Sequence, residues 1–93
     1  MGGKVNIEFT TYIWQEGDQF IAHAMPLDVM SAGRTVELAR QALAEAIELF
    51  LESAAAAGTL AIVLEEAGYQ FSEGRWTSPR WVSIERQSVA VEA

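Results

Sequence analysis

Ser31-Ala32-Gly33-Arg34-Thr35-Val36-Glu37-Leu38-Ala39-Arg40, running on through Leu43 and Ile47 to Phe50, is the stretch whose reading decides the fold. The β-forming run Val29-Met30-Ser31 leads into it and reads as a short strand. Gly33 breaks that pattern and permits a sharp reversal. Thr35 stands where an N-cap hydroxyl takes up free helix amides, with Glu37 placed against the positive end of the dipole. Beyond it Ala39, Leu43, Ala46, Ile47, Phe50 and Ala54 recur at spacings of three and four, which predicts an amphipathic helix over residues 36–57. The Ala42/Ala46 pair lets that helix lie close to a sheet, with Ile47 and Phe50 expected to fill the core.

Upstream, residues 4–14 alternate, placing Val5, Ile7, Phe9, Thr11 and Ile13 on one face and Asn6, Glu8, Thr10 and Tyr12 on the other. Gln15-Glu16-Gly17-Asp18 carries turn chemistry, so residues 20–25 read as the returning strand of a hairpin. Pro26 cannot donate to a ladder and ends that strand. Downstream, Gly58 suits the position after the helix, Thr59 is placed to cap again, and Leu60, Val63, Leu64 and Ala67 predict a short second helix closed by Gly68. Residues 69–79 read as an ordered loop or irregular hairpin in which Phe71 and Trp76 cover the edge of the core. β-formers return over residues 80–91, with a bulge expected near Arg86-Gln87 and a right-handed crossover returning this last strand parallel to the first.

The expectation is one α+β domain over residues 4–93, in the order β-β-β-α-α-β: an antiparallel three-stranded sheet, a C-terminal strand, and one long and one short helix packed on one face. Met1-Gly2-Gly3 is set aside from the fold. The chain of 93 residues is 51% hydrophobic, enough for one core without staples. At this size part of the apolar surface is expected to be completed by self-association, as a homodimer or homotetramer.

Thirteen acidic residues against six basic ones give a net charge of −7, which repels phosphate backbones and attracts a basic partner. Direct DNA binding by this chain is therefore not expected, residues 80–93 reading as a strand and not as a basic recognition helix. Cysteine is absent, which removes disulfides, thiolate metal sites and cysteine nucleophiles. With neither a basic leader nor a run of about 18 apolar residues, a cytoplasmic protein without membrane contact is the expectation.

Several stretches together resemble the HicB antitoxin-like family, whose domain is similar to a truncated RNase H fold. Phe20-Ile21-Ala22-His23-Ala24 followed by Pro26-Leu27-Asp28 is similar to the family's strand and turn. Ser31-Ala32-Gly33-Arg34-Thr35 matches its Ser-x-Gly-x-Thr signature, and Ala42-Leu43-Ala44-Glu45-Ala46-Ile47-Glu48-Leu49-Phe50-Leu51 resembles its helix pattern. The resemblance covers about half the chain, and its tail, with Leu64-Glu65-Glu66-Ala67-Gly68-Tyr69, looks like that of short stand-alone members. Pro26, Ser31, Gly33, Thr35, Ala46 and Ile47 carry the signature, and they are folding residues. The family's frequent small-residue turn after the proline is replaced here by Asp28-Val29-Met30.

The resemblance implies an antitoxin module that binds and neutralises a small basic RNA-cleaving toxin similar to HicA. The alternative is a solitary dimeric interaction or ligand-binding module with no toxin partner. Glu8, Tyr12, Trp14, Glu45, Glu48 and Glu52 are the candidate partner-binding residues: acids for steering, aromatics outside the core for anchorage. An enzyme is not expected and no cofactor or metal is implied. RNase H chemistry needs carboxylates converging on two metal ions, and the acids do not supply that set. His23, Asp28 and Ser31 can be drawn as a triad, but no nucleophile elbow supports one.

Overall fold

The computed structural model describes residues 4–93 and is an α+β fold. Three antiparallel strands, β1 (Thr10–Glu16), β2 (Gln19–Met25) and β3 (Val29–Gly33), form a sheet in the order β1-β2-β3. The helices α1 (Val36–Ala56) and α2 (Leu60–Ala67) follow, and then a separate two-stranded hairpin of β4 (Gln70–Ser72) and β5 (Arg75–Thr77). Among the described residues no helix is long and apolar enough to cross a membrane.

The β1–β2 hairpin pairs Glu16 with Gln19 across a tight turn in which Gly17 takes φ 61°. A positive φ there suits the twist of the flanking strands and is open to glycine at little cost. The first strand is shorter than its alternating pattern predicts. Pro26 ends β2 after Met25, whose partner is Thr10, so residues before Thr10 have no strand to pair with. Val5 and Phe9 are consequently exposed, and only Ile7 of that segment packs on the core.

The corner from β3 to α1 works by close approach. A Cβ on Gly33 would stand 2.5 Å from the Ala39 nitrogen and 2.9 Å from the Leu38 Cβ. Thr35 caps the helix, its Oγ1 accepting a bond of 3.0 Å from the Leu38 amide. Helix α1 then lies over β3 and β2 and barely reaches β1. Its buried stripe is Ala39, Leu43, Ile47 and Ala54. Ala22 and Ala24 of β2, both fully buried, face this stripe, and small side chains on strand and helix let the two layers approach. Leu43 and Leu64 are the largest fully enclosed side chains, with Leu27 and Tyr69 completing the core.

Phe50 departs from the expected stripe: it is 38% exposed at the rim of a surface cleft. Thr59 does not cap α2 with its side chain. Its hydroxyl instead donates back to the Ala54 carbonyl at 3.3 Å, closing the end of α1. Gly58 (φ 74°) and Gly68 (φ 105°) end the two helices.

The hairpin expected within residues 69–79 is present, whereas the strand expected after it is not. Residues 69–79 contain the β4–β5 hairpin, turned at Glu73 and Gly74, both at positive φ as a tight hairpin requires. Phe71 and Trp76 pair across it with ring centroids 5.1 Å apart, but only Trp76 packs on the core, Phe71 being exposed. Closing this short loop costs less entropy than a crossover back to β1. Residues 80–91 form no strand and carry no bulge, and no parallel return to the first strand is made.

Candidate partner-binding surface

Alternation along paired strands sorts the sheet into two faces. The face under α1 carries Ile13, Ala22, Ala24, Val29 and Ser31. The opposite face carries Tyr12, Trp14, Ile21, His23, Met25 and Met30, with Tyr12 beside His23 and His23 beside Met30 in register, and Trp14 beside Ile21. Among the described elements none packs over this second face. Trp14 is 37% and Met30 55% exposed. The indole of Trp14 stands edge-on to the His23 ring at 6.2 Å, and its Nε1 donates to Glu16 at 3.0 Å. Tyr12 and Trp14 thus lie where the sequence placed them, outside the core.

At one end this face runs into a shallow cleft of about 690 Å³ lined by His23, the Met25-to-Asp28 turn, Phe50, Val63 and Glu66. His23 Nε2 and Asp28 Oδ1 are 2.6 Å apart, with the imidazole mostly covered and the carboxylate open to solvent. The turn places Asp28 at φ 60°, its amide bonded to the Ala24 carbonyl at 2.7 Å, and this aims the carboxylate back at His23. Ser31 does not join them. It pairs with Ala22 and lies on the helix-covered face, whereas His23 pairs with Met30 on the open one. The three residues therefore do not converge, and among the described residues no three His, Asp or Glu side chains cluster as metal ligands.

A second surface lies on α1, opposite its buried stripe. Glu45, Glu48 and Glu52 line a small groove there, and Leu49 sits among them, 66% exposed. Reading the acids as a row missed Leu49. The signal was present, because Leu49 follows Glu45 by four and precedes Glu52 by three, so helical geometry places it on the same face. An apolar side chain ringed by three carboxylates is the arrangement of an interface anchor with a charged rim.

Glu8 does not belong with that group. It lies outside any strand, in a cleft of about 360 Å³ between residues 4–6 and the β4–β5 hairpin, with Arg75 and Trp76 opposite. Its backbone carbonyl accepts a bond of 2.5 Å from the Tyr69 hydroxyl. Burial, and then the nearby Glu8 charge, push the Tyr69 phenol above its ordinary value. The signature residues occupy folding positions: Pro26 after β2, Ser31 and Gly33 in β3, Thr35 at the cap, Ala46 and Ile47 on the sheet-facing side of α1.

Comparison with protein-family models, with characterised proteins and with solved structures finds no match to this chain.

Proposed function

We propose that this chain is a HicB-like antitoxin module that binds a small, basic, RNA-cleaving toxin and covers its nucleic-acid surface. The observation that carries the reading is Leu49, exposed at the centre of Glu45, Glu48 and Glu52 on a chain of net charge −7. An acidic face raises the encounter rate with a basic partner, and a desolvated apolar centre supplies affinity. The test is co-expression with a small basic toxin encoded beside the gene. Co-purification and restored growth are expected, and Leu49→Ser with Glu48→Lys should weaken the complex at least tenfold while leaving the fold intact by circular dichroism. Failure to co-purify, or full binding by the double variant, sinks the proposal.

A second reading, a solitary interaction or ligand-binding module, is favoured by the open cleft beside His23, Asp28 and Phe50. An empty gene neighbourhood, together with a small ligand that raises the melting temperature of wild type but not of His23→Ala, would support it.

A further inference from the structure

After β5 the chain touches the body at Pro79, beside Gly68, and is exposed from Arg80 onward. Residues 80–93 form an arm without regular secondary structure, in which Val82, Ile84, Val89 and Val91 are 93%, 63%, 85% and 78% exposed, and Trp81 is 44% exposed. The radius of gyration is 16.0 Å, against roughly 12 Å for a compact domain of this length. The accessible surface is 7,419 Å², against roughly 5,300 Å² for a compact monomer of this mass. That excess is more than the roughly 800 Å² that each partner contributes to a standard protein–protein interface.

The arm is built like a strand that lacks a neighbour. Paired as a strand, it would carry Val82 and Ile84 on one side. Ser83 and Gln87 both donate to Glu85, at 2.5 and 3.3 Å, which is the two-residue spacing of side chains along one side of a strand. Its charges balance, Arg80 and Arg86 against Glu85 and Glu92, so the whole net charge of −7 resides on the remainder of the chain. A neutral, apolar arm can approach a second acidic body without the repulsion that body-to-body contact would incur.

The receiving edge is present in the same chain. The sheet order β1-β2-β3 leaves the outer edges of β1 and β3 without a strand partner among the described residues. Of the two, β1 is longer, and α1 barely overlies it, so Ile13 is left half-buried beside uncovered space. The edge of β3 is five residues long and runs straight into the Gly33 corner.

We propose that this protein is an arm-exchanged dimer, in which residues 80–91 of each copy add as a strand to the free edge of β1 of the other. Exchange satisfies the backbone groups of that edge, packs Val82 and Ile84 against the uncovered side of Ile13, and closes as a two-fold symmetric pair. A second copy in this role is independent of any toxin.

The absence of cysteine makes the test clean. Thr10→Cys in β1, on the face opposite Ile13, and Ser83→Cys in the arm, on the side opposite Val82 and Ile84, are prepared as separate full-length variants, mixed, and treated with a short bis-maleimide. A mixed cross-linked dimer is expected, and light scattering should give twice the monomer mass for wild type. Val82→Asp with Ile84→Asp should raise the dimer dissociation constant at least tenfold with an unchanged far-ultraviolet spectrum, since neither residue is part of the core. A wild-type monomer, a dimer indifferent to the aspartates, or a Thr10→Cys/Ser83→Cys double variant that cross-links only within one chain would each overturn the assignment.

Discussion

At Gly33 the strand becomes the helix with helical backbone lying where a side chain would begin. A methyl there would meet the Ala39 nitrogen and the Leu38 carbonyl carbon, at 2.5 and 2.7 Å, and neither can turn aside as a flexible side chain would. Its φ is not in the left-handed region, so the requirement is one of space. Gly33→Ala is expected to cost about 2–3 kcal/mol through overpacking, read as a lowered denaturation midpoint with unchanged slope. Thr35→Ala, two residues on, loses only the cap to the Leu38 amide, so about 1 kcal/mol is expected. If the two losses prove equal, close approach is not what selects glycine at the corner.

Among the elements, α1 was legible to within a residue, because its cap, its stripe and its closing glycine agree. The hairpin of β1 and β2 was legible for the same reason: turn chemistry and alternation point the same way. What could not be read was decided between elements. The alternation of residues 4–9 matches a strand, but strand formation needs a partner, and β2 stops at Pro26. The β-formers of residues 80–91 likewise announce a strand without naming its neighbour, while the turn at Glu73 and Gly74 closes a nearer hairpin. At the candidate surfaces, Tyr12, Trp14 and the acidic row were found by periodicity, whereas Glu8 was misplaced along with its strand. The acidic row yields a prediction for the helix itself. Glu45 with Glu48 and Glu48 with Glu52 are like-charge neighbours, each pair costing about 0.2–0.5 kcal/mol. Replacing all three by Gln should therefore raise the melting temperature of the free protein at low salt, with the gain shrinking as salt is added. The same variant should bind a basic toxin more slowly, so opposite signs in the two measurements would mark the row as kept for a partner.

Across the whole molecule, the segment ahead of β1 is tied to the chain after α2 by one side chain. The Tyr69 side chain is buried as part of the core, and its hydroxyl donates to the Glu8 carbonyl, sixty-one residues away in sequence. Losing that bond while keeping the ring, as in Tyr69→Phe, is expected to cost about 1 kcal/mol, or about 4–8 °C in melting temperature for a domain of this size. The phenol also sets a limit in pH. Burial and the Glu8 charge raise its folded-state pKa above the ordinary tyrosine value of 10.0. The folded state therefore holds the proton more firmly than the unfolded chain does. This contribution is fully present below pH 10 and is lost as the pH rises through the folded-state value, because the unfolded state ionises first. Wild type should accordingly lose stability steeply above pH 10, and Tyr69→Phe, lower at neutral pH, should show a shallower decline. Denaturant titrations of both proteins between pH 8 and about pH 11 measure the difference. Parallel curves would mean that the Tyr69 phenol ionises as freely in the folded chain as in the unfolded one, and that the tie between the two ends of the fold is made by the ring alone.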